Sequence, residues 1–247
     1  MARAEGPLSG RHIVVTRAAD QAGPLVTKLK LLGAEVVVLP LIAIAPPVDG
    51  GLAMRSAIDH LNTYDWVVLT SPNAAARFID IAGEVAWPKV AAIGPGTAEV
   101  LRAIGRRADL IPQRSIGEGL ADAFPEAPTA GGRLLLPAAA AARDVVPDGL
   151  RAKGWTVDRV EAYRTVAAAP TDAALAAAAN ADAIAFTSAS TVNSYLALDP
   201  PRSADAIVVT IGPATTSAAL AGGLAVHTTA DPHTIDGLID ALVLALA

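Results

Sequence analysis

Hydroxyl side chains follow two short apolar runs of this sequence, so the same pattern occurs twice. Leu69–Asn73 reads LTSPN and Phe186–Ser190 reads FTSAS, 117 residues further along. A serine at this place can cap a helix, and Pro72 suits the first helical position, which needs no N–H group. Such a strand-to-helix junction presents backbone N–H groups and the positive helix end to a carboxylate or phosphate. The candidate ligand-binding residues of this motif are Ser71, Asn73, Ser188 and Ser190.

A second doubled motif reads IGPGT at Ile93–Thr97 and IGPAT at Ile211–Thr215, at an offset of 118 residues. Its candidate binding residues are Gly94, Thr97, Gly212 and Thr215. A third correspondence, Ser115–Leu120 with Thr234–Ile239, has an offset of 119 residues. Nearly constant offsets indicate an internal duplication. Ordinary helix capping explains any one of these junctions more simply, but their doubling in both halves favours a ligand.

Few other side chains could do chemistry. Thr16 and Arg17 end the first apolar run, and Arg143 precedes Asp144 where we predict a helix start within 138–146. Tyr163 offers a phenol that could donate or accept a proton, although an aromatic ring that packs between domains fits the position equally well. An arginine and an aspartate placed as at 143 and 144 are more often an ordinary charge pair at a helix start.

Composition excludes several classes of site. The chain has no cysteine, which rules out disulfides and thiolate ligands, and its four histidines show no metal-ligand spacing. No Gly-x-Gly-x-x-Gly or Gly-Lys-Ser/Thr loop is present, so we expect no cofactor, neither a metal nor a nucleotide. A net charge of -5 with three Phe, three Tyr and three Trp argues against nucleic-acid binding. We expect a small-molecule partner.

Short β-branched runs alternate with alanine-rich stretches along the whole chain, which predicts an α/β fold with parallel sheets flanked by helices. In such sheets ligands bind at the carboxyl ends of the strands. Proline-rich segments at 40–47, 125–128 and 200–201 are candidate linkers or loops. The predicted strands, five in each half, are 13–15, 36–38, 66–69, 90–93 and 108–111, then 133–136, 156–160, 183–186, 206–209 and 224–227.

The chain of 247 residues, 53% of them hydrophobic, is long enough for two domains. Residues 206–226 carry no charge, but their Gly-Pro, Thr-Ser and Gly-Gly pairs predict a strand, a turn and a helix rather than a membrane span. Arg3, Glu5 and Arg11 have no apolar run between them, so we expect no secretory signal and a cytoplasmic location.

Taken in order, these motifs resemble those of the uroporphyrinogen-III synthase family over residues 10–241. The residues that carry the resemblance are Val15–Arg17, Tyr64–Val67, Thr70–Ala74, Ile93–Ala98, Leu135–Pro137, Tyr163–Thr165, Phe186–Ser188 and Ile211–Pro213.

The resemblance implies two similar α/β domains, joined by a two-stranded connector, with a cleft between them. The chain would leave the first domain near Pro40 and return near Tyr163. One domain would then comprise residues 1–40 and 166–247, and the other residues 41–165.

The implied reaction closes hydroxymethylbilane to uroporphyrinogen III, with loss of water and inversion of the last pyrrole ring, in haem, sirohaem and cobalamin biosynthesis. The substrate has eight carboxylates, which fits many N–H and hydroxyl donors. The resemblance assigns hydroxyls of the binding site to Ser71, Thr97, Ser188 and Thr215, and assistance of hydroxyl departure to Tyr163. Many relatives have an arginine directly after Leu135–Pro137, where this chain has Ala138. Either Arg143 is its substitute, or the substrate carboxylate is bound more weakly.

Two alternatives remain. The chain could be a non-catalytic tetrapyrrole-binding or regulatory module of the same fold, or a two-domain transferase, which would need a diphosphate-binding glycine loop that this sequence lacks. As partners we expect the tetrapyrrole and the upstream enzyme that forms hydroxymethylbilane. We expect a monomer, with neither a nucleic acid nor a membrane as partner.

Overall fold

The computed structural model describes residues 6–247, so Arg3 and Glu5 lie outside the described residues. The chain divides into two compact units. Unit 1 comprises Val166–Ala247 and the described part of Met1–Ala43, and unit 2 comprises Ile44–Thr165. Both units are α/β with parallel sheets, which confirms the predicted fold class.

Strands and helices alternate along most of the chain. In order, the elements are β1 (His12–Val15), α1 (Gly23–Leu31), β2 (Glu35–Val38), β3 (Ile42–Ala45), α2 (Leu52–Asp59), β4 (Trp66–Leu69), α3 (Pro72–Ala82), β5 (Lys89–Ala92), α4 (Pro95–Arg102), α5 (Gly117–Ala123), β6 (Gly132–Ala139), α6 (Val145–Ala152), β7 (Trp155–Ala167), α7 (Asp172–Ala178), β8 (Ala183–Phe186), α8 (Ala189–Leu198), β9 (Ile207–Thr210), α9 (Pro213–Ala221), β10 (Thr228–Thr229) and α10 (Ile235–Leu246).

The strands form two five-stranded sheets. The order is β10-β9-β8-β1-β2 in one sheet and β3-β7-β6-β4-β5 in the other. The neighbours β9-β8-β1-β2 and β7-β6-β4-β5 all pair in parallel. Parallel neighbours need crossover connections, which the helices provide.

Helices cover both faces of each sheet because alternate residues of a strand point to opposite faces. In unit 1, Ile13 packs in a cluster with residues of α1 and α10, whereas Val14 packs with residues of α7 and α8. In unit 2, Val67 packs with residues of α2 and α3. Trp66 packs with residues of α5 and α6. Strands buried on both faces are therefore apolar throughout, as the β-branched runs predict.

Apolar residues three and four apart fix the helices on the sheets. In α3, Ala74, Ala75, Phe78 and Ala82 are buried. Complete burial of one such phenylalanine contributes about 1.5–3 kcal/mol to folding. In α10, the buried Leu238, Ile239, Leu242 and Leu246 lie on one face of the helix.

Two predicted strands are wrong, and two other local predictions are right only in part. Residues 108–111 form no strand but one bridge, Leu110 to Ala91. The strand predicted at 224–227 is replaced by β10, two residues long, at Thr228–Thr229. The proline-rich segment 40–47 contains the boundary between the two units, as a linker would, but its middle residues lack proline and form β3. Within 138–146 a helix does start, but only at Val145, because residues 138 and 139 belong to β6, so Arg143 lies in a loop.

The two sheets have equivalent strand orders. When β8 is placed on β4, as the doubled serine motif requires, β9 falls on β5 and β1 falls on β6. Strand β2 then falls on β7, and β10 falls on the bridge at Leu110. The serine and glycine-proline motifs of the two units thus follow equivalent strands.

No helix within residues 6–247 has the length and apolar character needed to cross a membrane. The described residues also contain no group of three or more histidines, aspartates or glutamates that could hold a metal ion.

Candidate active site

The candidate residues lie at the carboxyl ends of the parallel strands of their own unit. In unit 1 they follow β1, β8 and β9, and in unit 2 they follow β4, β5 and β6, except for Tyr163, which lies near the end of β7. Helices α3, α4, α8 and α9 begin directly after four of these strands. Their N-terminal N–H groups and positive dipole ends therefore face the edge where ligands bind in α/β sheets.

Ser71 and Ser188 cap their helices in the same way. The Ser71 Oγ accepts a hydrogen bond from the Ala74 N–H at 3.1 Å, and the Ser188 Oγ accepts one from the Thr191 N–H at 3.2 Å. Their backbone angles are nearly identical, at φ -162° and ψ 157° for Ser71 and φ -164° and ψ 158° for Ser188. The duplication therefore extends to backbone geometry.

Tyr163, on β7, belongs to the same unit as Ser71. Its phenol donates a hydrogen bond to the Ser71 Oγ at 3.2 Å, and its side chain is almost fully buried. The structure thus joins a predicted proton donor to a predicted binding residue, 92 positions apart in the sequence. Asn73, in the first turn of α3, belongs to the same junction.

At the equivalent place in unit 1, hydroxyl groups surround Ser188, and no phenol of the described residues bonds to it. The Ser188 and Ser190 Oγ atoms lie 2.9 Å apart, and the Thr191 Oγ1 donates to the Ser188 carbonyl at 2.8 Å. Hydroxyl hydrogens rotate to suit the acceptor, so this pair can turn a donor toward a carboxylate.

Gly94 and Gly212 precede α4 and α9 in extended conformation and cap them without a side chain. A Cβ at Gly94 would lie 2.6 Å from the Ser115 Oγ, and one at Gly212 would lie 3.4 Å from the His233 ring. The first distance is too short for any side chain. Glycine is therefore needed at position 94 because the chain segment before α5 passes directly over it.

Arg17 follows β1 and is half-buried. Among the residues that the structure describes, none forms a hydrogen bond or an ion pair with its guanidinium. Burial lowers the pKa of Arg17 below its usual range, and the nearby charge of Asp20 offsets this only in part. A desolvated cation without a partner is costly, and an anionic ligand would relieve that cost.

Three predicted hydroxyls are buried instead. Thr16 is fully buried and its Oγ1 donates to the Ala185 carbonyl at 2.9 Å. Thr97 is 2% exposed and Thr215 is 4% exposed. All three residues thus pack inside their units in this structure, and a binding role for their hydroxyls stays a prediction.

Unit 2 has a cavity of about 180 Å³ at its strand ends, lined among others by Thr70, Ala138, Arg143 and Arg159. The Arg143 side chain is 75% exposed and has a distant ion pair with Glu118, at 3.8 Å. Arg159 is far less exposed, at 26%, and lies against the same cavity. Arg159 was not among the predicted site residues, because a lone arginine inside a β-branched run gives no local signal.

A trio of threonine hydroxyls was also missed. The Thr216 Oγ1 lies 2.6 Å from the Thr210 Oγ1 and 2.7 Å from the Thr229 Oγ1. The residues of unit 2 at the offset of 118 positions are Ala92, Ala98 and Ile111. The trio could have been found from the sequence, because these three threonines of unit 1 are equivalent to apolar residues of unit 2.

Comparison with known proteins gives a consistent result. The family described as uroporphyrinogen-III synthase HemD matches residues 23–240. A uroporphyrinogen-III synthase of Synechococcus elongatus is 36% identical in an alignment 259 residues long, which covers 97% of this chain and 97% of the relative. A chloroplastic uroporphyrinogen-III synthase of Oryza sativa subsp. japonica is 30% identical and is matched over 95% of this chain and 80% of its own length.

Two solved structures share the fold. A mutant uroporphyrinogen III synthase from Thermus thermophilus aligns with a TM-score of 0.63 at 16% identity, over 96% of this chain and 99% of the other. A uroporphyrinogen-III synthetase from Helicobacter pylori aligns with a TM-score of 0.64 at 15% identity, over 96% and 100%. On the family match and the 36% identity, this chain belongs to the uroporphyrinogen-III synthase family.

Proposed function

We propose that this chain closes hydroxymethylbilane to uroporphyrinogen III, with loss of water and inversion of the last pyrrole ring. The observation that carries the proposal is the state of Arg17, a half-buried guanidinium without a hydrogen-bond partner among the described residues. A substrate with eight carboxylates would supply an anion that binds this guanidinium directly. Bidentate binding of a carboxylate would also suit the planar guanidinium.

Binding would rest on donors spread over the strand ends. Arg17, Ser188 and Ser190 would serve unit 1, with the backbone of Gly212 and the helix that follows it. Ser71, Asn73, Gly94 and Arg143 would serve unit 2. The hydroxyls of Thr16, Thr97 and Thr215 would take part only once substrate binding exposes them, because all three residues are almost fully buried. Many weak donors suit a substrate whose charges are distributed around four rings.

Catalysis would depend mainly on positioning. The hydroxyl group leaves as water and needs one proton, while closure forms a carbon–carbon bond and releases a proton from the last pyrrole ring. Because the linear substrate also closes by itself, the protein need only hold the conformation in which the last ring is inverted.

Tyr163 is the candidate donor of the proton for the departing hydroxyl. Its phenol already donates to the Ser71 Oγ, which in turn accepts from the Ala74 N–H at the start of α3. This chain of hydrogen bonds fixes the direction of the phenol. A substrate hydroxyl near Ser71 could then take the place of Ser71 as acceptor.

We also propose that the enzyme works without metal or nucleotide, as a cytoplasmic monomer. The enzyme that forms hydroxymethylbilane is the proposed protein partner, because a reactive linear substrate is best passed on quickly. Residues 1–40 with 166–247 and residues 41–165 are the proposed domains.

Turnover under cofactor-free conditions tests the proposal. The purified chain, chelated and desalted, is supplied with hydroxymethylbilane, and its consumption is followed against the spontaneous reaction. We expect many substrate molecules to be converted per chain. Binding without turnover would support the alternative, a non-catalytic tetrapyrrole-binding module. Recovery of activity only with added metal or nucleotide would refute cofactor independence.

A further inference from the structure

The strand registers of the two units identify equivalent positions. Ile13 of β1 pairs with Ala183 of β8, and Leu134 of β6 pairs with Trp66 of β4. Since Trp66 and Ala183 are themselves 117 residues apart, as in the doubled serine motif, Ile13 is equivalent to Leu134. Four residues further on, Arg17 is equivalent to Ala138. The cation that ends β1 in unit 1 is thus missing from the end of β6 in unit 2.

On the neighbouring strand, unit 2 has an arginine where unit 1 has an apolar residue. Val15 pairs with Val38 on β2, and the equivalent Leu136 pairs with Arg159 on β7. Directly paired residues share a face of the sheet, and so do residues two apart on a strand. Arg159 therefore lies on the same face as Ala138, where both line the 180 Å³ cavity. In unit 2 the arginine is therefore on the neighbouring strand, β7, at the same edge of the sheet as the position equivalent to Arg17.

The contacts of Arg159 leave room for a ligand. Its Nη1 forms an ion pair with Asp144 at 2.7 Å, and its Nη2 donates to the Ala142 carbonyl at 2.8 Å. The Nη2 also makes longer contacts with the carbonyls of Ala139 at 3.4 Å and Ala140 at 3.5 Å. Asp144 is 71% exposed, whereas Arg159 is 26% exposed. A guanidinium has five N–H donors, so these contacts do not exhaust it. An exposed carboxylate is also a weak competitor for a cation that lines a cavity.

We propose that Arg159 supplies the cation of unit 2 that Arg17 supplies in unit 1, and that the cavity beside Ala138 accepts one carboxylate side chain of the substrate. This inference rests on the proposed function. It assigns to Arg159 the part for which the sequence favoured Arg143, whose exposed side chain has only a distant partner.

Substrate affinity at several salt concentrations tests this role. Arg159→Gln is expected to raise the KM for hydroxymethylbilane by on the order of 10-fold or more, with a small change in kcat, because one charge-assisted contact is lost. The KM of the variant should also depend less steeply on salt. Arg159→Lys keeps the charge and should retain the salt dependence. Arg151→Gln, which removes an exposed arginine of α6 paired with Asp148, is the matched control and should behave as the parent chain.

Asp144→Asn separates ligand binding from support of the loop. If Arg159 binds substrate, removal of its competing carboxylate should lower KM. If Arg159 only holds the loop, the same change should raise KM, and that result would overturn the proposal. An unchanged KM in Arg159→Gln would overturn it as well. A parent chain that forms no uroporphyrinogen III would instead refute the proposed function, so the two failures are distinguishable.

Discussion

The phenol of Tyr163 lies 3.2 Å from the Oγ of Ser71, and Ser71 in turn caps α3. This relationship links the proposed proton donor to a helix start at which backbone N–H groups are available. The proposed acid chemistry and the proposed carboxylate binding therefore share one junction of unit 2. The equivalent junction of unit 1, at Ser188, has hydroxyls alone.

The first prediction concerns the phenol. Tyr163→Phe should lower kcat by about 10²–10⁴-fold and leave KM nearly unchanged, because a lost general acid affects the chemical step. Tyr195→Phe, at a buried tyrosine of α8, is the control and should keep full turnover. A loss of less than tenfold in Tyr163→Phe would reduce the phenol to a positioning group.

The second prediction concerns Arg17. Arg17→Met should raise the KM for hydroxymethylbilane at least tenfold and also raise the urea midpoint of unfolding, because it removes a desolvated cation without a partner. Lys30→Met removes an exposed charge at the end of α1 and should change neither quantity. A destabilised Arg17→Met variant with normal KM would assign Arg17 a structural role.

Features that depend on local sequence could be predicted, whereas features that depend on contacts between distant residues could not. The β-branched runs located β1, β4 and β8, and the doubled serine motif located two helix starts, because both signals are local. The exchange between Arg17 and Arg159 needs the pairing of distant strands, which no local pattern contains. The same holds for Thr97 and Thr215, whose burial depends on how α4 and α9 pack. Two-residue β10 is too short for any periodicity.

The third prediction concerns helix capping. Ser71→Ala and Ser188→Ala should each lower the free energy of unfolding by about 0.5–2 kcal/mol, since each removes an N-cap acceptor. Glycine at either position should cost only a few tenths of a kcal/mol. Ser217→Ala, at an exposed position within α9, is the control and should be neutral or slightly stabilising. Urea unfolding measures all of them, and equal effects at the three serines would contradict the capping role.

The fourth prediction concerns stability at high pH. Burial and a hydrogen bond to Asp158 at 2.9 Å raise the pKa of Tyr64 to about 12. The folded state therefore holds this proton more tightly than the unfolded state, in which the pKa is about 10. The resulting stability is complete below pH 10 and is lost as the pH rises toward 12, by on the order of 1–3 kcal/mol.

Unfolding by urea at several pH values between 8 and 11.5 measures this loss. Tyr64→Phe should remove the part of the pH dependence that arises from this phenol, while other groups continue to titrate. Identical pH profiles for the variant and the parent chain would refute the assignment to Tyr64.

The central claim is that the chain directs ring closure with inversion of the last pyrrole ring, and the isomer formed tests it most directly. Hydroxymethylbilane is supplied to the purified chain at increasing enzyme concentration, the products are oxidised, and the type III and type I porphyrins are separated. The account predicts that the type III isomer predominates and that its share rises with enzyme concentration. A product that stays type I at every enzyme concentration, as in spontaneous closure, would contradict it.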